Sequence, residues 1–356
     1  MVLGKSKKAK KFADKLAQNK ENIVFAPLKC EFANYIEIEP DNKREIKDFI
    51  AANEINLAVA VDKAYFSAEF KEETEKSTDC LVVCPDSSSI SLFLNNSTGK
   101  KLGYKSRVLT PKFGVFEKEA AAIEYIQNAS IPLIVNPDRK NETESAFIAE
   151  TKTAAKERVS FLFETGNKKI IAEDYIEGIE YTKYILTDNV CPLNLIETVS
   201  YFDEISTNNV NFLEKTCIEN IENEIIPSLL NTFLEEGIDY KGILGLRFIV
   251  GKKNTPYFLG FLPFFKEIDI DIALNTVEDK FENILLSAAL GNSGEKYGEI
   301  KTNAKYSISM DLKGGIINSC ANTMSKAVEL LTFEAGKDED IAKKALDEVF
   351  GYWKAI

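Results

Sequence analysis

The sequence predicts an α/β protein that begins with an open parallel sheet and continues into an antiparallel sheet. In the first hundred residues, short apolar runs alternate with helical patterns. Such alternation is typical of a parallel sheet with helices on its faces. Beyond residue 169, strand patterns follow one another with one long amphipathic helix between them, which indicates antiparallel pairing.

The elements of the first part follow from the spacing of apolar residues. Helices are expected over residues 9–18, 42–52 and 66–76, and strands over residues 23–26, 57–61 and 81–84. The pattern then changes to a helix before Leu109, a strand at 112–116, a helix at 117–127, a hairpin starting at Pro132 and a helix at 152–163. This succession predicts a small lid-like subdomain inserted after the parallel sheet.

The second half is expected to hold strands within residues 169–192, 243–250 and 257–265, with a helix over 217–236. After Leu290 a Gly-Asn-Ser-Gly turn opens a short tail, which closes with a helix over 342–352. We therefore predict four regions: an N-terminal α/β domain (1–97), the lid (98–165), an antiparallel sheet domain (166–290) and a compressed C-terminal domain (291–356).

Composition narrows the classes of function. The 356 residues are 45% apolar and carry a net charge of −12, with acidic residues spread along the chain. Binding to nucleic acid or to an anionic membrane needs clustered Lys and Arg, so neither partner is expected. No apolar stretch approaches the roughly 20 residues that span a bilayer, and the lysine-rich N-terminus is not followed by the apolar core of a signal peptide. We therefore expect a cytoplasmic protein. The absence of histidine removes Ser-His and Cys-His nucleophiles and the common zinc sites.

Several segments carry a family resemblance. In chain order they are Gly4–Gln18, Pro132–Ala149, Ile171–Thr182, Tyr240–Val250 and Tyr257–Phe265. The segment Ile171–Thr182 reads Ile-Ala-Glu-Asp-Tyr-Ile-Glu-Gly-Ile-Glu-Tyr-Thr. In this order they resemble the glycinamide ribonucleotide synthetases, the ATP-grasp ligases that join phosphoribosylamine to glycine. The resemblance implies an ATP-grasp architecture: an N-terminal parallel α/β domain, a small lid and an antiparallel α+β domain.

The resemblance also implies where a nucleotide would bind. Glu173 and Asp174 fall on the adenine side, Ile176 would offer its backbone to adenine, and Glu180 would accept the ribose hydroxyls. Lys100 falls on a lysine that touches nucleotide phosphates in the family. The alternative for these residues is that Gly178 forms a turn and that the charged side chains are solvated.

The chain departs from the family at the residues that grip phosphate and metal. The family's phosphate-loop lysine falls on Asn136 and the loop glycines fall on Arg139, Thr143 and Ser145, while Asp138 is retained. The two magnesium-bearing residues fall on Gly260 and Leu262, which offer no oxygen side chain, and an arginine falls on Phe264.

The loops for the other substrates are altered as well. In the N-terminal loop Ser6 and Lys7 replace paired glycines, and Val61-Asp62-Lys63 replaces Gly-Pro-Glu. The acceptor loop is represented by the sequence Thr-Val-Ser-Tyr at 198–201 and a shortened segment at 207–210. No catalytic residue and no metal ligand are therefore expected at the family's positions.

One group of side chains could compensate for the missing metal ligands. Glu267, Asp269 and Asp271 alternate with apolar residues, and in a strand such carboxylates share one face and could hold a cation. The alternative is a solvated strand face. Arg247, in the middle of an apolar strand, would need a buried partner.

Two functions follow from this pattern. The first is a non-catalytic relative of the ligases that binds a nucleotide or metabolite, or that serves as a scaffold for a protein partner. It would bind adenosine or ATP weakly and without magnesium. The second is an active ATP-dependent carboxylate–amine ligase with displaced catalytic groups.

Overall fold

The computed structural model describes residues 1–139, 146–312 and 315–356. The N-terminal part alternates short strands and helices: β1 (Val2–Leu3), α1 (Lys7–Ala17), β2 (Phe25–Ala26), β3 (Asn34–Tyr35), α2 (Lys43–Ala52), β4 (Leu57–Ala60), α3 (Ala68–Ser77), β5 (Leu81–Val83), α4 (Ile90–Leu94) and α5 (Asn96–Lys105). Strands β1, β4 and β5 pair in parallel. The parallel sheet predicted from the alternating pattern is therefore confirmed.

The lid follows as a small four-stranded antiparallel sheet with two helices on one face. Its elements are β6 (Phe113–Phe116), α6 (Glu119–Asn128), β7 (Leu133–Pro137), β8 (Ile148–Ala149), α7 (Lys152–Glu164) and β9 (Ile170–Asp174). The strand order is β6-β9-β7-β8. Alternate residues of β7 and β9, among them Leu133 and Ala172, pack against α6 and α7 in a core of their own, which leaves the other face of the lid sheet towards the rest of the molecule.

The largest sheet contains seven strands among the described residues, in the order β14-β13-β10-β11-β12-β15-β16. Its elements, with the helices between them, are β10 (Gly178–Thr187), β11 (Leu193–Tyr201), β12 (Ile205–Thr207), α8 (Lys215–Asn220), α9 (Ile226–Glu235), β13 (Gly242–Gly251), β14 (Thr255–Leu262), α10 (Ile270–Thr276), α11 (Phe281–Leu290), α12 (Ser293–Lys296), β15 (Tyr306–Leu312), β16 (Gly315–Ala321), α13 (Met324–Glu334) and α14 (Glu339–Ala355). A π-helical segment, Ile221–Ile225, joins α8 to α9.

The two faces of this sheet differ in chemistry. Because side chains alternate along a strand, one face carries Ile179, Tyr181, Phe248 and their neighbours, which are buried in a core with α9, α13 and α14. We call this the packed face. The opposite face carries Glu180 and Arg247 with other polar side chains, and we call it the cleft face. The strand register places Glu180 opposite Ser200 and Thr182 opposite Arg247.

Two sequence expectations for the second half are corrected. Residues 267–272 do not form a strand: residues 267–269 make a turn, and Ile270 starts α10. Asp269 is fully buried and Glu267 only partly so, and the three carboxylates do not share a face. The C-terminal tail contains more than its closing helix, because β15 and β16 extend the large sheet. None of the helices in the described part of the chain is long and apolar enough to cross a membrane.

Candidate functional site

The predicted phosphate-side lysine is held by a carboxylate of the lid. The Lys100 side chain, on α5, is 3% exposed and forms an ion pair with Glu173 on β9, whose side chain is 12% exposed. The structure thus brings together two of the predicted nucleotide residues, but as partners of each other. In this arrangement Glu173 neutralises the lysine that would meet a phosphate.

The predicted ribose acceptor, Glu180, lies on the cleft face next to Arg247. Glu180 Oε2 is 3.7 Å from Arg247 Nη2, and the two side chains are 21% and 33% exposed. The sequence left the partner of Arg247 unnamed, and the structure identifies it as Glu180. Burial lowers the pKa of Arg247, but the carboxylates of Glu180 and Asp203 raise it by more, so the guanidinium remains charged.

The remaining predicted residues lie at the junction of lid and large sheet. Asp174 ends β9, and its backbone N–H donates to the Lys112 carbonyl at 2.9 Å. Ile176 lies in the short connection between β9 and β10 and is partly exposed. Its side chain closely approaches Gly251, and the connection therefore lies against the end of β13.

A polar network covers the middle of the cleft face, with Lys266, Asp269 and Ser200 buried and Asp203 exposed at its edge. Lys266 Nζ lies 2.8 Å from both Ser200 Oγ and Asp203 Oδ1, and 3.8 Å from Asp269 Oδ2. Asp269 accepts hydrogen bonds from Tyr184 Oη at 2.6 Å and from Ser206 Oγ. Each polar group therefore has a partner within the chain, as buried polar groups require.

Ionisation within this network follows its geometry. The neighbouring Lys266 ammonium lowers the pKa of Asp203 to about 2. Burial disfavours the Lys266 cation, yet Asp203 and Asp269 outweigh that effect and raise its pKa. Burial and Asp269 together raise the pKa of Tyr184 well above its ordinary value. At neutral pH Lys266 is therefore an ammonium, Asp203 a carboxylate and Tyr184 a neutral phenol.

The lid hairpin uses its polar residues for its own structure. Asn136 Oδ1 accepts a hydrogen bond from the Phe147 backbone N–H at 3.1 Å. The Asp138 carboxylate is buried and accepts from both the backbone N–H and the hydroxyl of Ser97, at 2.7 and 2.9 Å. It thus caps the N-terminus of α5. Arg139 forms an isolated bridge with Asn95, while positions 143 and 145 lie outside the described residues.

Strand β14 has no side-chain oxygen at the two positions that the resemblance aligns with the metal ligands, Gly260 and Leu262. Gly260 has a φ of +140° and lies close to Gly99 of α5. Leu262 pairs with Gly245, and the ring of Phe264 contacts that of Phe12 at 5.0 Å. Within residues 1–139, 146–312 and 315–356, no group of three or more Cys, Asp or Glu side chains is arranged to hold a metal ion.

The carboxylates predicted as a cation site each bind a donor of the chain. Asp269 belongs to the polar network, and Asp271 forms an ion pair with Lys11. Glu267 accepts from the backbone N–H of Lys8; burial raises its pKa, and Asp62 raises it further. Glu267 and Asp271 therefore meet α1 while Asp269 meets the large sheet, and the three side chains do not converge on one ion.

The N-terminal loop also holds a carboxylate of the chain. Asp62 Oδ2 accepts from the backbone N–H groups of Lys5 and Ser6 at 2.6 and 2.8 Å, and Oδ1 accepts from Ser6 Oγ at 2.6 Å. These donors precede α1, and a loop leading into a helix N-terminus is a favourable place for an anion. Asp62, 8% exposed, supplies that anion.

Charged side chains of both signs lie together around Arg247, with the carboxylates in excess. The cations of Lys100, Arg247 and Lys266 lie among the carboxylates of Glu173, Glu180, Asp203 and Asp269. Sequence reasoning missed Lys266, Asp203 and Tyr184. Tyr184 was signalled only by the alternation along β10, and Lys266 only by its place after the last apolar run of β14. Asp203, in the turn after β11, gave no signal.

Solved structures of ATP-grasp enzymes superpose on most of this chain. A crystal structure of phosphoribosylamine–glycine ligase from Thermotoga maritima superposes with a TM-score of 0.73 at 16% identity, covering 92% of this chain and 94% of that one. The biotin carboxylase–β-γ-ATP complex from Campylobacter jejuni superposes with a TM-score of 0.75 at 12% identity, covering 97% and 94%. The chain thus has the ATP-grasp fold, as the sequence predicted.

The sequence comparison gives the relationship within this fold. No protein-family model matches the chain. Phosphoribosylamine–glycine ligase from Clostridium acetobutylicum is 24% identical over 319 residues, which are 81% of this chain and 74% of that protein. The protein from Synechocystis with the same name is 21% identical over 85% of this chain and 77% of that protein. The chain is a distant relative of the phosphoribosylamine–glycine ligases.

Proposed function

We propose that this protein is a non-catalytic relative of the phosphoribosylamine–glycine ligases, which binds the adenosine part of a nucleotide weakly and transfers no phosphate. The observation that carries the proposal is the pairing of the cleft cations. Lys100 is bound to Glu173, Arg247 lies beside Glu180, and Lys266 lies between Asp203 and Asp269.

Phosphoryl transfer depends on cations and backbone donors that stabilise charge on the phosphates. Here three cations face four carboxylates, so a triphosphate would bring its charge into a cleft without net positive charge. Asn136 and Asp138 are engaged in the hairpin and the α5 cap. These contacts support a site that does not hold the phosphates for reaction.

The adenosine half of the site is less altered. Glu180 is partly exposed near the start of β10, and the connection containing Ile176 lies just before it in the chain. A carboxylate there can accept two ribose hydroxyls, and the connection presents backbone groups. We therefore infer that recognition of the nucleoside persists where recognition of the phosphates does not.

Titration of the wild-type protein with adenosine and with ATP tests this proposal, each with and without magnesium. We expect similar affinities that differ by a factor of a few and that magnesium changes little. An intact phosphate site would add several charge-assisted hydrogen bonds, each worth roughly 1.5–3 kcal/mol. A large preference for ATP would therefore contradict the proposal.

Glu180→Ala should weaken both ligands equally. Glu117→Ala is a matched control, since Glu117 is an exposed lid carboxylate paired with Lys169, and it should leave both affinities unchanged. If neither ligand binds, the protein does not recognise nucleosides through this cleft.

An assay of ADP formation with phosphoribosylamine and glycine addresses the reaction directly. The Clostridium acetobutylicum relative serves as the active reference. We expect no ADP above background from this protein. ADP formation abolished by Lys266→Met would favour the alternative, a ligase with displaced catalytic groups.

A further inference from the structure

A surface groove lies outside the predicted nucleotide site. It runs along residues 104–113, which connect the end of α5 to β6, and has a volume of about 820 Å³. None of the predicted nucleotide residues lines it. Its cationic side chains are those of Lys105, Arg107 and Lys112, and no carboxylate lines it.

Arg107 has a backbone conformation that arginine adopts unfavourably, so this residue does not stabilise the fold. Helix α5 ends with two hydrogen bonds, from Val108 N–H to the Gly103 carbonyl at 2.9 Å and from Arg107 N–H to the Tyr104 carbonyl at 3.0 Å. This is the Schellman arrangement, whose left-handed position usually holds glycine. Arg107 occupies that position with a φ of +56°, where any residue with a Cβ is strained.

The charges of the groove are available to a ligand. Lys105 is paired with Glu236 at 2.6 Å. Across the described part of the chain, by contrast, no ion pair is found for Arg107 or Lys112. The groove also exposes apolar surface, because Tyr104 is 77% exposed and Leu109 50%. A cationic groove with exposed apolar side chains is unusual on a protein with a net charge of −12.

We propose that this groove binds an acidic, extended peptide segment of a partner protein, with an apolar side chain of that segment seated against Leu109 and Tyr104. Charge complementarity favours an anionic ligand, and the exposed side chains of Tyr104 and Leu109 favour one that also carries apolar groups, as an acidic peptide does. The groove follows one continuous stretch of chain, and it is open, so an extended peptide fits it better than a compact metabolite. Part of the α5–lid connection is fixed to the large sheet, because Leu109 accepts from Phe258 N–H at 2.8 Å.

The test uses the full-length protein and a fluorescein-labelled peptide of glutamates with two central leucines, followed by fluorescence anisotropy. Arg107→Gly is the informative variant, because glycine suits the left-handed position and should leave the melting temperature unchanged or raise it. Loss of one exposed ion pair should weaken peptide binding about fivefold. Raising the salt concentration should weaken the wild type more than the variant.

Matched controls separate the groove from general charge. Lys101→Ala removes an exposed lysine of the same helix that does not line the groove, and it should bind the peptide like the wild type. Leu109→Ser should weaken binding without changing its salt dependence. A peptide with glutamine in place of glutamate should not bind.

Three results would overturn the proposal. The first is no saturable binding of the acidic peptide at millimolar concentration. The second is equal binding by Arg107→Gly and the wild type. The third is tighter binding of single-stranded oligothymidylate than of the peptide, which would assign the groove to nucleic acid. Because none of these measurements involves adenosine or ATP, their failure is distinct from failure of the proposed function.

Discussion

The two faces of the seven-stranded sheet use neighbouring residues of the same strands for different purposes. On the packed face, Tyr181 and Phe248 are fully buried among apolar side chains of the helices. On the cleft face, Thr182 and Arg247 are directly paired in register and lie among charged side chains. The packed face holds the architecture, and the cleft face carries Glu180, which the resemblance assigns to the ribose.

The contrast shows that the two faces of one sheet place different demands on the sequence. An apolar face needs only volume and hydrophobicity, which many sequences provide. A polar face has to find a partner for every buried group. Here Lys266, Asp269 and Tyr184 supply partners to one another, so the buried part of the cleft face is satisfied within the chain.

Among the substitutions proposed here, Asp269→Ala should produce the largest loss of stability. A small loss would contradict the comparison of the two faces. Asp269 is fully buried and accepts from Tyr184 and Ser206, so its removal leaves two donors and a nearby ammonium without their carboxylate. We expect a loss of about 3–5 kcal/mol in the free energy of unfolding, measured by urea denaturation. A loss below about 1 kcal/mol would mean that the network contributes little.

Lys100→Met should cost about 3 kcal/mol, because it leaves the Glu173 carboxylate at a largely buried position without its cation. The double variant Lys100→Met with Glu173→Leu removes both charges and should be more stable than Lys100→Met alone. A double-mutant cycle on the unfolding free energies measures the coupling. Additive losses would show that the two charges do not interact.

Two neighbouring tyrosines of β10 compare the faces directly. Tyr184 donates to the fully buried Asp269, while Tyr181 donates to Glu197 at 2.7 Å, whose side chain is 28% exposed. Tyr184→Phe should therefore cost about 2 kcal/mol and Tyr181→Phe about 1 kcal/mol, since water can replace only the second donor. Thermal or urea unfolding of the two variants gives the values. Equal losses of stability would mean that water reaches Asp269 as readily as it reaches Glu197.

The smallest expected effect is the acid dependence of the Lys266–Asp203 pair. The pKa of Asp203 is lowered to about 2, so the stabilisation is fully present above about pH 4 and is lost as the pH falls towards 2. Because the Asp203 side chain is 59% exposed, we expect less than about 1 kcal/mol. The stability difference between wild type and Asp203→Asn should shrink between about pH 5 and pH 2.5. A difference that grew on acidification would contradict this sign.

The sequence predicted the architecture because apolar periodicity survives in most of the strands. The prediction failed where polar and apolar residues alternate for a reason other than a strand. Residues 267–272 alternate in polarity like a strand, yet Asp269 turns inward to meet Tyr184 and Ser206 while Ile270 starts a helix. Hairpin β15–β16 was missed, because its serines and asparagine lack the strong apolar signal of β10 or β13.

The candidate site was predictable only by position. Lys100, Glu173 and Glu180 lie around the cleft, but a pattern of residues along the chain could not reveal that Lys100 pairs with Glu173 or Glu180 with Arg247. Such pairs join lid, helix and sheet across long sequence separations. Lys266 and Asp203 belong to the same class of contact, because their meeting depends on how the end of β14 folds back over β11.

The carboxylate of Asp62 in the N-terminal loop can be described as a tethered ligand. Because it is part of the chain and is already oriented by β4, it faces the N–H groups of Lys5 and Ser6 at an effective concentration that a dissolved anion does not reach. A free phosphate would have to compete with a partner that cannot diffuse away. Dilution, dialysis and changes of buffer anion should therefore leave this loop as it is, and only a substitution at position 62 opens it.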